Sequence, residues 1–376
     1  IITWDEFIKL KEEIPELLTP VYEPNSPAAV IGTSGTSGTP SDVVLTNENV
    51  NAMTLQHLSG GLNYSPKDKL LDDLIVSIGY GFSVMHYSTA LGLNVVLIPT
   101  METDVYDLLA KYKPDHFIGG PIHYENLRKK IEDGNDFPSY GKNFVSGGAD
   151  FDIDLEKYLN RVDGDYIEEI TGEDVFVRQG YGMTENGGAA TYSKVGSYKL
   201  GSQGIPLPFE NMSVFDPETN EELPYNEVGE ICVSGPTVMK EYLNKPLDTE
   251  KVLRKHSDGK IWLHTKDYGY VDEDGHFFIT GRIKDVFMRS GHNVHPKTIR
   301  NFILNLPFVD DCAVAGIAHP DEQKVPVAFI KLIDSQNIED ARKELELLCV
   351  ENLDGPLIPY EFIFVENIPH NMGGKI

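Results

Sequence analysis

The sequence predicts an α/β fold, with a large N-terminal domain of parallel and mixed sheets with helices plus an antiparallel β subdomain, and a small C-terminal α+β domain. Three observations carry this prediction. Apolar runs alternate with amphipathic stretches in the first half, short strands with tight turns follow from Gly201, and a mixed pattern returns after Asp285. Because 376 residues exceed one ordinary core, we expect two domains, 1–282 and 283–376.

The first half reads as repeated strand–helix units. "LNVVLIP" precedes "ETDVYDLLAKY", "DHFIGG" precedes "PIHYENLRKKIED", and "NFVSGGAD" precedes "FDIDLEKYLNRV". Short apolar runs that each precede an amphipathic stretch are typical of a parallel sheet. The predicted strands end in glycines such as Gly119 and Gly147, and ligands of open α/β sheets bind at the carboxyl ends of strands.

The second half changes character twice. "MSVFDPETNEELPYNEVGEICVSG" and "GYVDEDGHFFITGRIKDVFM" are short strands joined by Asp-Pro, Asn-Glu and Asp-Gly turns, which indicates an antiparallel sheet. After that, "HPKTIRNFILNL" and "IEDARKELELLCVENL" have helical spacing. "DCAVAGIA", "VPVAFIKLI" and "EFIFVENIP" read as the strands of the small domain.

Composition excludes several classes of partner. A net charge of −27 repels nucleic acid and anionic lipid, so we expect neither nucleic acid nor membrane as a partner. The longest apolar runs, such as 95–99 and 325–333, are far shorter than a membrane span, and the first ten residues do not resemble a signal peptide. Cys232, Cys312 and Cys349 lack paired spacing, which favours buried thiols in a reducing, cytoplasmic compartment.

The stretch "IGTSGTSGTPSDVVLT" is the most unusual in the chain. Its glycines allow the backbone to curl into an anion-binding nest, and its hydroxyls add hydrogen-bond donors. On composition alone, a surface linker is an equal alternative to a phosphate cradle. No lysine follows the glycines and the spacing is not GxGxxG, which argues against a P-loop kinase and a nicotinamide dehydrogenase.

Four further motifs follow in order. They are "QGYGMTENG", "TKDYG", "GRIKD" and the terminal "NMGGKI". Each by itself is typical of a loop. Together with "FVSGGAD" and the glycine loop, their order and spacing identify the chain as similar to the adenylate-forming (AMP-binding) enzymes, closest to the acyl-CoA synthetases. The resemblance runs from Ala28 to the last residue.

This resemblance implies the substrates and cofactors: ATP, Mg²⁺, coenzyme A and a small-molecule carboxylic acid. It implies that the glycine loop binds the β- and γ-phosphates through Thr33, Ser34, Gly35, Thr36, Ser37 and Gly38. It also implies that an adenine-side loop lies close to the base and the acyl group, formed by Gly147, Gly148 and Ala149. In "YGMTE", Tyr181 would stack on adenine, with Gly182 beside it in the nucleotide site.

The resemblance also assigns the groups that carry the chemistry. Thr184 would donate to the α-phosphate, and Glu185 would bind the Mg²⁺ that bridges the phosphates. Asp267 would accept from the ribose hydroxyls, and Arg282 would contact the ribose or the α-phosphate. Lys284 occupies the hinge position, about which a mobile C-terminal domain swings. Lys375 would bridge the substrate carboxylate and the α-phosphate as negative charge gathers there.

The chain departs from the family pattern at three places. The family loop usually continues Pro-Lys-Gly, whereas here Pro40 is followed by Ser41 and Asp42. Lys266 stands where the family usually has glycine before the aspartate. The loop is preceded only by residues 1–32, so we expect a shortened N-terminal edge. Tyr80 and Phe82 lie near the expected acyl pocket and fit either a pocket wall or ordinary core.

Three functions therefore stay open. The "RSGHNVHP" stretch resembles the acyl-CoA synthetase version of its motif, which favours coenzyme A as the thiol acceptor. A carrier protein is the alternative acceptor, although a strongly acidic chain is a poor electrostatic match for an acidic carrier. The Ser41–Asp42 departure motivates a third hypothesis, a nucleotide-binding paralogue with weak or no turnover. A homo-oligomer is left open as well.

Overall fold

The computed structural model describes most of the chain. The described residues are 22–33, 41–60, 62–72, 78–98, 104–136, 141–149, 151–161, 177–194, 196–320, 322–333 and 337–370. Residues 34–38 of the glycine loop and Lys375 lie outside these ranges, so their predicted roles stay predictions.

The largest sheet has seven strands, and its first five are parallel. Its strands are β3 (Lys69–Asp72), β4 (Asn94–Leu97), β5 (His116–Gly119), β6 (Asn143–Ser146), β7 (Val177–Tyr181), β8 (Thr191–Tyr192) and β9 (Ile205–Pro206), in the order β4-β3-β5-β6-β7-β8-β9. The helices that accompany it are α2 (Gly79–Leu91), α3 (Val105–Tyr112), α4 (Pro121–Glu132) and α5 (Ile153–Arg161). The strand–helix units predicted from the sequence are thus confirmed.

Helices cover both faces of this sheet because its strands are apolar on both sides. Phe117 and Phe144 pack in a buried cluster with residues of α3, α4 and α5. Their chain neighbours Ile118 and Val145 point the other way and pack with Val84 of α2. This double cover leaves the carboxyl ends of the strands as the accessible edge.

An antiparallel sheet follows, as the turn pairs predict. Its strands are β10 (Asn211–Phe215), β11 (Gly229–Ser234), β13 (Leu253–Lys255), β14 (Ile261–Val271) and β15 (Phe277–Arg282). The central strand β14 pairs with β11 on one side, and β13 and β15 share its other side. The helix α6 (Pro246–Val252) precedes β13.

A smaller antiparallel sheet carries the glycine loop. It consists of β1 (Pro27–Gly32), β2 (Asp42–Thr46) and β12 (Glu241–Tyr242), with β2 in the middle. The helix α1 (Asn47–Ser59) begins directly after β2. Thr46 caps it in a reciprocal capping box with Asn49, and the Asn49 amide also donates to the Val238 carbonyl, 2.9 Å away.

The C-terminal part has a core of its own. Its strands are β16 (Phe287–Arg289), β17 (His292–Val294), β18 (Val309–His319), β19 (Gln323–Leu332) and β20 (Glu361–Phe364), and its helices are α7 (Pro296–Leu304) and α8 (Ile338–Asn352). Cys312 and Cys349 are buried in this core. The large and small parts confirm the predicted fold class, while the boundary at 282/283 stays a prediction. Among the described residues, no helix is both long and apolar enough to cross a bilayer.

One buried carboxyl group joins α1 to the antiparallel sheet. Glu210 Oε1 accepts a hydrogen bond of 2.8 Å from Gln56 Nε2 and another from the Thr237 hydroxyl. Burial raises the pKa of Glu210 from 4.5 to about 7, although these two donors oppose the shift. The folded state therefore holds a proton that the unfolded chain loses at lower pH.

We expect Glu210→Gln to remove a pH dependence of stability. A raised folded-state pKa contributes stability that is complete below pH 4.5 and is lost as the pH rises through about 7. Relative to wild type, the free energy of unfolding of the variant should increase by on the order of 3 kcal/mol across that window. Urea unfolding at several pH values measures the gain, with the exposed Glu221→Gln as the control. If the free energies of unfolding of Glu210→Gln and wild type differed by the same amount at every pH, the raised pKa of Glu210 would be contradicted.

Candidate active site

The glycine-rich ends of three neighbouring parallel strands lie side by side. Strand β5 pairs with β6, and β6 pairs with β7, so their carboxyl ends meet at one edge. The Gly147 N–H donates to the Gly119 carbonyl across this edge at 3.3 Å. Gly148, with φ of 84°, turns the chain away after β6, and Ala149 follows half-buried. The predicted adenine-side loop therefore lies next to the end of β7.

Tyr80 of α2 covers the inner side of that loop. A Cβ on Gly147 would lie 3.0 Å from Cε1 of the Tyr80 ring, so a larger residue here would have to displace the tyrosine. The Tyr80 hydroxyl accepts a hydrogen bond of 3.2 Å from Tyr192. Phe82 packs instead against the hydrophobic cluster that includes residues of β1 and β2, the strands on either side of the glycine loop. Of the two aromatic residues noted in the sequence, Tyr80 borders the site and Phe82 belongs to the core.

The turn after β7 carries the predicted phosphate-side groups. Gly182 is required by close packing, because a Cβ there would lie 2.3 Å from the Gly188 carbonyl oxygen. Thr184 begins a short 3₁₀ turn, Thr184–Asn186, and the Asn186 side chain accepts from the Met183 N–H at 2.8 Å. Thr184 also faces the first residue of α2, since a Cβ on Gly79 would lie 2.6 Å from its Cα. The turn is held rigidly from both sides.

Glu185 is tied to the sheet that carries the glycine loop. The Tyr242 hydroxyl donates to Glu185 Oε1 at 2.7 Å, and the Met239 N–H donates to the Glu185 carbonyl at 2.8 Å. Burial, followed by the charge of Glu185, raises the pKa of Tyr242 well above its usual value, so the phenol stays a donor. An oriented carboxylate of this kind suits a hard cation such as Mg²⁺.

Asp267 is the centre of the predicted nucleotide-side groups. The Tyr181 hydroxyl donates to Asp267 Oδ2 at 2.7 Å, and Arg282 Nε lies 2.8 Å from Asp267 Oδ1. Asp267 and Arg282 are direct cross-strand partners in β14 and β15. Burial and the Asp267 charge raise the pKa of Tyr181 well above its ordinary value, which keeps the phenol protonated. Three residues predicted from three separate motifs are thus in direct contact.

A bulge in β14 aims Asp267 into this position. Glu230 pairs with Tyr268 and Cys232 pairs with His264, so three residues on β14 stand opposite one on β11. Lys266 takes φ of 61° at the bulge, the left-handed region where glycine is favoured. The family resemblance predicts glycine before the aspartate, and this backbone conformation gives the physical reason. The lysine found here adopts the conformation with backbone strain.

Glu230 and Thr265 hold the bulge in place. Glu230 Oε1 accepts the Lys266 N–H at 3.0 Å, and its other oxygen, Oε2, lies 2.8 Å from His264 Nδ1. The Thr265 hydroxyl donates to the Ile231 carbonyl at 2.7 Å and accepts the Asp267 N–H at 3.1 Å. The direction of the Asp267 side chain is therefore fixed by buried groups on two strands.

The neck of the glycine loop is closed by two reciprocal hydrogen bonds. The Thr33 N–H donates to the Ser41 carbonyl at 2.9 Å, and the Ser41 N–H donates to Thr33 Oγ1 at 3.1 Å. Lys245 Nζ lies 3.2 Å from Ser41 Oγ. A cation therefore lies beside Ser41 at the loop neck, although the loop sequence itself contains no lysine.

The predicted hinge residue lies in a short connection. Lys284 is exposed in the 3₁₀ turn Ile283–Asp285, between β15 and β16. Its hinge role stays a prediction. Lys284 lies two residues after Arg282, in the connection that leads from β15 to the C-terminal part.

Sequence reasoning missed three residues that organise the site. Glu230 holds the bulge, Tyr242 orients Glu185, and Lys245 stands at the loop neck. Each of the three lies far along the sequence from the residue that it contacts, so no short motif contains both. Pairing of β2 with β12 brings Tyr242 and Lys245 to the site, and only that pairing could have identified them.

Comparison with protein families gives two matches. The family described as AMP-binding enzyme matches residues 4–243, and the AMP-binding enzyme C-terminal domain matches residues 299–375. A long-chain-fatty-acid–CoA ligase of Bacillus subtilis is 32% identical over 98% of this chain and 64% of its own length. 4-Coumarate–CoA ligase 4 of Arabidopsis thaliana is 30% identical over 96% of the chain and 62% of its own length. The chain thus spans less than two thirds of these two relatives.

Solved structures share the architecture. ATP-bound MatB from Rhodopseudomonas palustris superposes with a TM-score of 0.83 at 27% identity, covering 96% of this chain and 68% of that one. The o-succinylbenzoate coenzyme A synthetase MenE of Bacillus subtilis, in complex with AMP, gives a TM-score of 0.78 at 26% identity, covering 94% and 68%.

Proposed function

Because the chain belongs to the family of AMP-binding enzymes, we propose that it activates a carboxylic acid with ATP and transfers the acyl group to coenzyme A. The single observation that carries the proposal is the contact of Tyr181 and Arg282 with the Asp267 carboxylate at the edge where the parallel strands end. Residues from separate motifs meet there, where α/β proteins bind nucleotides.

The proposed reaction has two balanced steps. In the first, a carboxylate oxygen attacks the α-phosphorus of ATP, the α–β phosphoanhydride bond breaks, and pyrophosphate leaves. In the second, the thiol sulfur attacks the acyl carbonyl, AMP leaves with the electron pair of the broken acyl–phosphate bond, and the thiol proton passes to solvent. ATP is needed because a free carboxylate is a poor electrophile, and adenylation supplies the leaving group.

The described residues supply the nucleotide contacts. Asp267 would accept from the ribose hydroxyls, and Arg282 would balance its charge and contact the ribose or α-phosphate. Tyr181 presents its ring at the end of β7, where it can stack on adenine while its hydroxyl holds Asp267. Gly147, Gly148 and Ala149 would border the base and the acyl group.

The turn after β7 would serve the phosphates. Thr184 would donate to the α-phosphate. Glu185 would hold Mg²⁺, which neutralises phosphate charge when bound, and the fit is supported by the Tyr242 bond that orients its carboxylate. A chain with net charge −27 needs such local positive charge to accept a polyanion.

The C-terminal domain would complete the site. We propose domains 1–282 and 283–376, with Lys284 as the hinge and Lys375 as the cation that bridges the carboxylate and the α-phosphate. Three free, buried thiols, Cys232, Cys312 and Cys349, fit a reducing cytoplasmic setting. Coenzyme A as acceptor is supported by the relatives named as CoA ligases.

Adenylation should depend on Lys375. We expect Lys375→Ala to lower carboxylate-dependent pyrophosphate release by roughly 10²–10³-fold while ATP binding is retained, because the lost charge acts mainly on the transition state. The assay is a screen over acetate, medium- and long-chain, aromatic and amino acids, with AMP release compared between coenzyme A and a holo-carrier protein.

The exposed Lys343→Ala in α8 is the matched control for that screen. Wild-type adenylation in Lys375→Ala would refute the role of the lysine. ATP binding without pyrophosphate release for any acid in the wild type would instead support the non-catalytic paralogue. If AMP were released with the holo-carrier protein but not with coenzyme A, the thiol acceptor would be the carrier protein.

Lys245 offers a substitute for the cation missing from the loop. Its ammonium is 3.2 Å from Ser41 Oγ at the loop neck, and Lys245 is the N-cap residue of α6, three residues after Tyr242. We therefore propose that Lys245 contributes positive charge to phosphates held at the loop.

We expect Lys245→Ala to weaken ATP binding by roughly tenfold or more, the value of one charge-assisted hydrogen bond. The measurement is calorimetric titration of ATP and, separately, of AMP, whose affinity should change less because it lacks the β- and γ-phosphates. Lys240→Ala is the control, since Lys240 lies on the same segment and its Nζ contacts the Asn25 carbonyl instead. An equal loss for ATP and AMP would contradict the role.

A further inference from the structure

A buried cluster of metal-ligating side chains lies behind the nucleotide site. Glu230 and Cys232 alternate on β11, and His264 on β14 is the direct cross-strand partner of Cys232. The three residues are only 3%, 0% and 1% exposed. One ligand atom of each lies within 4.8 Å of the others.

We propose that Glu230, Cys232 and His264 form a three-ligand site for a borderline transition-metal ion, with Zn²⁺ and Co²⁺ as representatives. The donor set of one oxygen, one nitrogen and one sulfur is typical of such ions and unlike that of Mg²⁺ or Ca²⁺. It is also separate from Glu185, the residue assigned to Mg²⁺.

The present distances are close to those that such an ion requires. Bonds of about 2.0–2.3 Å in tetrahedral geometry place ligand atoms roughly 3.3–3.5 Å apart. Glu230 Oε2 and His264 Nδ1 are 2.8 Å apart, so they would separate by about half an ångström. Cys232 Sγ, already within 4.8 Å of both, would approach by a side-chain adjustment.

The residues around the cluster form a suitable second layer. The second nitrogen of His264, Nε2, lies 2.9 Å from His256 Nε2, which can accept its N–H; metal-bound histidines usually donate their other N–H to an acceptor. Glu230 Oε1 already accepts the Lys266 N–H, so Oε2 can bind a metal without releasing the bulge. Both ligands are thereby oriented before an ion arrives.

A cavity of about 260 Å³ lies next to the cluster, on the side from which an ion would approach once the intervening side chains move. Its walls include His256, Phe215 and Trp262, and the latter two pack directly against Cys232. Two carboxylates, Glu222 and Asp258, also line it, and the acidic surface of the chain raises the local concentration of cations.

A bond from Cys232 Sγ to the metal forms as the thiol proton leaves to solvent. Without metal, Glu230 Oε2 and His264 Nδ1 lie in hydrogen-bond contact beside the buried thiol.

The test is titration of the full chain with Co²⁺ alone, followed by its visible and near-ultraviolet absorption. We expect one equivalent to bind with a thiolate-to-cobalt absorption band, and Zn²⁺ to displace it. Cys232→Ser should lose the band, whereas Cys312→Ser, which alters a buried free thiol of the C-terminal core, should keep it.

A second variant keeps the test decisive if Cys232→Ser does not fold. His256→Gln retains all three ligands and should weaken Co²⁺ binding by roughly 10–100-fold. Failure of the wild type to bind Co²⁺, binding without the thiolate band, or a band that persists in folded Cys232→Ser would each overturn the proposal. ATP binding is not used as a readout, so the outcome is independent of the proposed function.

Discussion

The hydrogen bond between the Glu230 carboxylate and the Lys266 N–H is the constraint on which the candidate nucleotide site depends. It holds a bulge that puts Lys266 in a left-handed conformation and turns the next residue, Asp267, toward Tyr181 and Arg282. A bulge re-aims a side chain that a regular strand would point elsewhere. The strain at Lys266 is thus part of how the site is built.

The rest of the fold brings partners to this point from different parts of the chain. Tyr181 lies at the end of β7 in the seven-stranded sheet, and Asp267 and Arg282 lie on β14 and β15 of the antiparallel sheet. The glycine-loop sheet joins them through Tyr242 and Glu185. The Tyr181–Asp267 and Tyr242–Glu185 contacts each join separate sheets, so the site exists only when all three sheets are packed together.

Sequence patterns predicted the parts of this arrangement that are local. Apolar runs followed by amphipathic stretches predicted the strand–helix units, and the family resemblance of the motifs predicted that Tyr181, Asp267 and Arg282 belong to one site. The Glu230 contact could not be predicted in this way, because it depends on strand register and on an irregularity within β14. Lys245 could not be predicted either, because only the pairing of β12 with β2 brings it to the loop neck.

A double-mutant cycle on AMP affinity tests most directly whether Glu230 acts through Asp267. Calorimetry would compare wild type, Glu230→Ala, Asp267→Asn and the double variant, with folding checked by circular dichroism. If the carboxylate serves to aim Asp267, each single change weakens AMP binding, and the double variant binds no more weakly than Asp267→Asn alone. Losses that simply add, or an Asp267→Asn variant with wild-type affinity, would contradict this account.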